Sequence, residues 1–308
     1  VVGCGALGTV ASELLVRAGV GNVRIIDRDV VELTNLQRQL LFTERDAAEQ
    51  RPKAIAAASR LREVNSSVEI NGVIADLSGS KAVTLLRGST VVVDATDNYV
   101  TRFTINDACL ELGLPWVYGG AVGSRGMTAT FMPGGACFRC LFSGLPALGA
   151  GDSCELEGVL ASATTTVAAI EVSEALKAII APEAVRSDVL DFDLWTGKFY
   201  TMALSRDDNC PACQTHDRAF LLRENPKDAI AICGRDSVLV RGGVDSLDIA
   251  ALAGVLIAKG LEVKQSKFTL GVRLEGRDVV LFTDGRGLIG GTNDAREAQR
   301  IYNAIIGI

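Results

Sequence analysis

The chain opens on Val1-Val2 and runs at once into Gly3-Cys4-Gly5-Ala6-Leu7-Gly8, a G-x-G-x-x-G run ahead of a helical pattern over residues 6–17. Glycines at these spacings let the backbone turn tightly and approach a phosphate. The helix that follows offers its unpaired N–H groups and the positive end of its dipole to that phosphate. Such a loop belongs at the first strand-to-helix turn of an α/β sheet, which leaves few architectures open. Val1-Val2 are too short for a central strand, so the strand is expected to begin before Val1.

The pattern downstream agrees. Strands are expected at residues 23–26, ending at Asp27, at 68–74, at 90–93, ending at Asp94, at 116–118 and at 127–132. Helices are expected from Pro52 to about Val64, over 101–112, where Gly113 and Pro115 stop it, and over 164–180. Strands 189–193 and 199–204 read as a hairpin around Thr196-Gly197. This alternation predicts an α/β, Rossmann-like fold with a mostly parallel sheet covered on both faces. Residues 133–152 form a Gly/Pro-rich insertion, and Arg223-Glu224-Asn225-Pro226-Lys227-Asp228 reads as a linker. The expected domains are therefore 1–222 and a small C-terminal α+β domain, 223–308. The latter has strands at 229–232, 238–240, 268–274 and 279–282, and helices at 247–258 and 295–305, the last capped by Asn293 or Asp294.

Composition removes several function classes. Lys+Arg 31 against Asp+Glu 37 gives a net charge of -6 without a long basic run, so nucleic acid is not an expected partner. The uncharged Thr/Ala-rich stretch from Gly158 to Ile170 is 13 residues long, too short to span a bilayer, and no basic n-region of a signal peptide opens the chain. Eight Cys, four of them in two Cys-x-x-Cys pairs, suit a reducing, cytoplasmic compartment. His216 is the single His, which leaves little for a Ser-His-Asp or Cys-His mechanism.

The glycine loop, with Asp27 as a ribose acceptor, does not by itself separate NAD from ATP. The next segment does. About 24 residues lie between Asp27 and Pro52, too many for an idle connection. They carry Asn35, Arg38 and Gln39, and Lys53 opens the next helix. Cations and amides of this kind suit a triphosphate; the bland alternative is that Arg38 and Lys53 are solvated surface charges. Asp94-Ala95-Thr96-Asp97-Asn98 follows a buried strand, and Asp97 is the candidate Mg²⁺ contact, against a plain turn and helix cap.

Cys137-Phe138-Arg139-Cys140 and Cys210-Pro211-Ala212-Cys213, separated by 69 residues, form two halves of a tetrahedral site. Structural Zn²⁺ is expected, with iron–sulfur or plain buried cysteines as the alternatives. Four thiolates leave no open position for chemistry. His216 either hydrogen-bonds a thiolate or is exposed. Cys154 stands apart in Gly151-Asp152-Ser153-Cys154-Glu155-Leu156-Glu157, as a nucleophile or as an inert surface thiol. Cys4 and Cys109 read as core.

Together the glycine loop, Asp27-Arg28-Asp29, Asn35-Leu36-Gln37-Arg38-Gln39, Pro52-Lys53, Asp94-Ala95-Thr96-Asp97-Asn98 and both Cys pairs resemble the ThiF/MoeB/HesA family, relatives of ubiquitin-activating enzymes, from Val1 to about Gln214. The resemblance implies MgATP-dependent adenylation of the C-terminal glycine of a ubiquitin-like sulfur-carrier protein ending in Gly-Gly, with release of pyrophosphate, usually by a homodimer. It implies that Gly3, Gly5, Gly8, Asp27, Asn35, Arg38, Gln39 and Lys53 surround the nucleotide. It also implies that Asp97 binds Mg²⁺ and that Cys154 lies where some members form a covalent link to the carrier. The family's helix with an arginine, ahead of the first strand, is absent from this chain, and the tail is not a sulfurtransferase domain. An NAD(P)-dependent oxidoreductase, an ATP-dependent dehydratase of modified transfer RNA and a non-catalytic scaffold are the rival readings.

Overall fold

The computed structural model describes residues 1–144, 158–222, 229–231, 237–241 and 246–307. It divides into two compact units: Val1–Glu44 with Lys53–Glu224, and Arg45–Pro52 with Asn225–Ile308.

In chain order the first elements are α1 (Ala6–Arg17), β1 (Asn22–Asp27), a 3-10 turn (Leu33–Asn35), α2 (Glu44–Ala48), α3 (Lys53–Val64), β2 (Glu69–Ile74), α4 (Gly79–Leu86), β3 (Val92–Asp94) and α5 (Tyr99–Leu112). They are followed by β4 (Trp116–Val122), β5 (Arg125–Phe131), α6 (Phe138–Leu141), α7 (Ala161–Ile180), β6 (Asp188–Asp193), β7 (Lys198–Ala203) and α8 (Ala219–Leu222). Helix α5 shows why these boundaries fall where they do. Asn98 is extended, and its side chain accepts from the Thr101 N–H at 2.9 Å; Gly113, at φ +65, ends the helix in the left-handed conformation.

Val2 fixes the topology. It pairs in parallel with Ile26 on one side and Asp94 on the other, so the strand order runs β2, β1, Val2, β3, β4, β5, β6, β7. The chain leaves Val2 toward β1 on one side and reaches β3 on the other, a topological switch point, and in open α/β sheets ligands bind beyond the carboxyl edge at such a point. The glycine loop starts at that edge.

The sheet is mixed, which corrects the expectation of a mostly parallel one. β1–β2 and β3–β4 are parallel, but β4, β5, β6 and β7 pair antiparallel. For β4–β5 and β6–β7 the reason is the links. Only Gly123-Ser124 joins β4 to β5, and residues 194–197 join β6 to β7; links this short permit hairpins and no crossover. Gly123 (φ +57) and Gly197 (φ +67) supply the left-handed residues. The core beneath is aromatic: Phe103, Trp116, Phe131, Phe138 and Phe220 are buried together, with Phe103 stacked on Phe220 at 4.7 Å between ring centroids.

The second unit contains β8 (Ala229–Ala231), β9 (Ser237–Arg241), α9 (Ile249–Ala258), β10 (Val263–Gln265), β11 (Thr269–Leu274), β12 (Arg277–Phe282), β13 (Arg286–Gly290) and α10 (Ala295–Ile306). Its six strands form one antiparallel sheet in the order β10-β11-β12-β13-β9-β8. Ala253 and Leu256 of α9 and Ile301 and Ile305 of α10 share its core with Leu270, Leu281 and Ile289. Asp294, not Asn293, caps α10 by accepting from the Arg296 and Glu297 N–H groups. No helix of the described residues is long and apolar enough to cross a membrane.

Candidate functional site

The glycine loop is held from two sides. Asp27, at the end of β1, accepts from the Cys4 N–H through Oδ2 (2.6 Å) and from the Asp29 N–H through Oδ1 (2.7 Å). On the other side the loop lies against the turn after β3. Gly3 has φ +88, and a Cβ there would lie 2.6 Å from the Ala95 carbonyl oxygen. A Cβ on Gly8 would lie 2.1 Å from the Gly3 carbonyl oxygen. Gly3 and Gly8 are thus required for backbone approach, and Gly5 leaves the start of α1 without a side-chain cap. Gly8→Ala is expected to lower stability by about 1–3 kcal/mol through overpacking, read as a lower midpoint in thermal denaturation.

Gln39 and Lys53 reach this loop. The Gln39 amide nitrogen would lie 3.8 Å from a Cβ on Gly5. Lys53 is only 3% exposed; its backbone N–H donates to the Asp29 carbonyl (2.9 Å), and its Nζ lies 3.6 Å from Asp29 Oδ2. Burial pushes the Asp27 carboxyl above its ordinary value, and Lys53 pulls it back down. The solvated-charge reading of Lys53 does not hold: this is a buried cation compensating a pair of carboxylates. Arg38 is placed differently. It is half-buried and its Nη1 donates to the Thr34 carbonyl at 3.2 Å, within its own turn. Asn35 is buried and its Nδ2 donates to Thr34 Oγ1. Asn35 Oδ1 and Gln39 Oε1 are buried acceptors without a hydrogen-bond partner, a feature expected where a ligand completes the set.

Asp94 and Asp97 separate cleanly. Asp94 is fully buried, and its Oδ1 accepts from Thr96 N–H (2.9 Å) and Thr96 Oγ1 (2.7 Å), so it shapes the turn. Burial raises its carboxyl to about 6, against the pull of Arg102. Asp97 is exposed and accepts from Asn98 Nδ2 at 3.4 Å, and it follows directly on the Ala95-Thr96 backbone that meets Gly3. Of the two, it is the carboxylate available to a ligand.

The four cysteines converge. Their sulfurs lie within 4.8 Å of one another, with Cys137–Cys140 at 3.8 Å, Cys137–Cys210 at 3.6 Å and Cys140–Cys213 at 3.6 Å. A tetrahedron with metal–sulfur bonds of ~2.3 Å has edges of about 3.8 Å, so the spacing fits a tetrathiolate ion. The Asp207 N–H points at Cys140 Sγ (3.4 Å), and Arg206 ties the two halves through the Gly134 and Cys213 carbonyls. Phe138, between the first two thiols, is buried in the aromatic core and donates its N–H to Asn106 Oδ1 (2.8 Å). His216 is exposed and outside the cluster. Cys4 and Cys109 are buried, as expected. Cys154 lies outside the described residues.

The decisive likeness is one of sequence: a sequence model of the ThiF family matches residues 1–212. The chain belongs to the ThiF family. Among ThiF-family relatives, it is 43% identical over 311 residues to the sulfur carrier protein ThiS adenylyltransferase of Bacillus subtilis, covering 100% of this chain and 92% of that protein. It is 38% identical over 214 residues to the SAMP-activating enzyme E1 of Haloferax volcanii, covering 69% and 78%. Among solved structures, E. coli MccB with ATP matches with a TM-score of 0.59 at 20% identity, over 69% of this chain and 65% of the MccB chain. That last likeness concerns the fold.

Reading by spacing alone missed three residues of this site. Asp29 pairs Lys53, Arg102 pairs Asp94 (3.6 Å), and Glu171 is fully buried beside them. The first was visible as an alternate carboxylate in Asp27-Arg28-Asp29. An arginine in the buried α5 and a glutamate inside the apolar α7 were the available signals for the others.

Proposed function

We propose that this chain is an adenylyltransferase that uses ATP and Mg²⁺ to activate the C-terminal glycine of a small ubiquitin-like sulfur-carrier protein of the ThiS type, ending in Gly-Gly, with release of pyrophosphate. What carries the reading is Lys53: a cation buried behind a G-x-G-x-x-G loop, beside two buried amides with unpaired acceptors, in a chain alike over its whole length to a ThiS adenylyltransferase. A homodimer, as the sequence resemblance implies, belongs to the same proposal.

In this reading Gly3, Gly5 and Gly8 let the phosphates approach the start of α1. Asp27 meets the ribose, and Asn35, Arg38, Gln39 and Lys53 surround the phosphate chain. Arg38 has to leave the Thr34 carbonyl to do so. Asp97 would hold Mg²⁺, which when bound neutralises phosphate charge. The carrier's carboxylate oxygen attacks the α-phosphorus, the bond from that phosphorus to the bridging oxygen breaks, and pyrophosphate departs. The main obstacle is repulsion between anions, so fixed positive charge and alignment are the protein's contribution. A carboxylate is already ionised and needs no general base, which suits a chain with a single, exposed His. Cys137, Cys140, Cys210 and Cys213 would hold Zn²⁺ as a structural clamp between the segment after β5 and that before α8.

Calorimetric titration tests the nucleotide assignment. ATP with Mg²⁺ is expected to bind and NAD not to compete. Asp97→Asn is expected to weaken the Mg²⁺-dependent part of ATP binding at least about tenfold. Tight NAD binding, or an Asp97→Asn protein with unaltered Mg²⁺ dependence, would count against the assignment.

A further inference from the structure

Behind the turn that carries Asp97 lies a buried polar cluster for which the adenylation chemistry has no direct use. Glu171, on α7, is fully buried, and neither of its carboxyl oxygens has a hydrogen-bond partner. Its carboxyl group occupies the space where Gly119 of β4 lacks a side chain: a Cβ on Gly119 would lie 2.4 Å from Glu171 Oε1 and 2.7 Å from Oε2. Gly119 is also held by Arg102 of α5. One guanidinium nitrogen, Nη2, donates both to the Gly119 carbonyl (3.2 Å) and to the carbonyl of Thr96 (2.7 Å), the residue directly before Asp97. Arg102 Nε faces Asp94 Oδ2 at 3.6 Å, too long for a good hydrogen bond, and both atoms lack other partners. The rings of Tyr118 and Tyr99 cover the guanidinium, at 5.0 and 5.6 Å from their centroids.

Two buried carboxyl groups thus share one cation. Asp94 has the nearer claim, with an ion pair to Arg102 and two hydrogen bonds from Thr96. Glu171 has neither, and burial, then the charge of Asp94, raise it well above the usual carboxylate range. An uncharged acid here leaves the guanidinium to Asp94 and to the two carbonyls while keeping a donor and acceptors for the unpaired polar atoms around it, which an apolar side chain lacks. A charged one would pull it off them. The remaining unpaired atoms, Asp94 Oδ2, Arg102 Nε and both oxygens of Glu171, suit a bridging buried water.

We infer that Glu171 is a positioning residue for the metal-binding turn: packed on Gly119, its carboxyl group keeps Arg102 on the Thr96 and Gly119 carbonyls and so sets the direction in which Asp97 is presented. The inference deepens the proposed function and rests on Asp97 as the Mg²⁺ contact.

The test uses the full chain, with ATP and Mg²⁺ as probes, in calorimetric titrations with and without the metal. Glu171→Met keeps the volume and removes the polar group. It is expected to weaken Mg²⁺ binding at saturating ATP about tenfold, the scale of lost outer-shell support, while metal-free ATP affinity stays at the wild-type value. Glu171→Gln, isosteric with the uncharged acid, is expected to restore Mg²⁺ binding. A role confined to packing would move both affinities together or neither. Wild-type Mg²⁺ binding in Glu171→Met, or equal losses in the Met and Gln variants, would overturn the inference. Where Glu171→Met does not fold, Gly119→Ala, which drives a methyl group into the carboxyl, carries the same expectation, and wild-type Mg²⁺ binding in that variant would overturn the inference equally. Asp97→Asn run beside them separates the two levels. If it shifts Mg²⁺ binding and Glu171→Met does not, positioning alone fails; if it leaves Mg²⁺ binding unaltered, the reading of Asp97 fails and this inference with it.

Discussion

Lys53→Ala is expected to lower carrier-dependent pyrophosphate exchange by about 10²–10³-fold, the usual cost of removing one fixed donor from a developing phosphoryl charge. The sequence alone suggests that the fold would barely notice. The structure says otherwise. Lys53 is buried, lies 3.6 Å from Asp29, and offsets the burial of Asp27. Its removal leaves two carboxylates short of a cation behind the glycine loop, which should cost about 1–3 kcal/mol of stability as well. Lys53→Met separates the contributions, because it keeps the buried stem and loses only the charge. Denaturant titration should show both variants folded, with exchange lost in each. A Lys53→Met protein that exchanges at the wild-type rate would show that the ammonium serves the fold and not the phosphates.

Cys137→Ser carries the other large effect. Structural zinc sites contribute folding energy outright, and Cys137 is 2% exposed at the centre of the cluster, 3.8 Å from Cys140 and 3.6 Å from Cys210. Metal analysis of the wild-type protein is expected to find about one zinc per chain. The serine variant should lose it, together with at least about 3 kcal/mol of stability, or roughly 6–12 °C in Tm. The loss should extend beyond the knuckle, because Phe138 between the two thiols sits in the same core as Phe103, Trp116 and Phe131. A serine variant with unchanged zinc content and unchanged Tm would mean that the four sulfurs meet without an ion.

These two sites differ in how they could be read before the fold was known. The glycine loop and the Cys pairs are local patterns. Their chemistry depends on spacings of two to five residues, and the structure places Gly3, Gly8 and all four cysteines accordingly. The helices α1, α3, α5 and α7 were legible for a similar reason: a Gly or Pro, or a run of small apolar residues, marks their ends or bodies. What escaped was either short or long-range. β10 has three residues and, among the described residues, pairs with β11 alone, and Gly287 interrupts β13, so neither shows an alternating pattern long enough to stand out. Two of the three antiparallel pairings, β4–β5 and β6–β7, follow from tight hairpins, a matter of loop length more than of strand composition. Lys53 with Asp29, and Arg102 with Asp94 and Glu171, are meetings between separate elements. Burial of a charge is set by the tertiary surroundings, so no periodicity announces it. Arg38 is the instructive intermediate: it lies in the long segment after β1 that its spacing singled out, and its guanidinium is turned back on Thr34.

The most direct measurement is exchange of labelled pyrophosphate into ATP, with a ThiS-type carrier ending in Gly-Gly and the same carrier shortened by its last glycine. Exchange that requires ATP, Mg²⁺ and the intact carrier terminus is the predicted result. Exchange that is indifferent to the carrier's last glycine, or that requires transfer RNA in its place, would contradict the account.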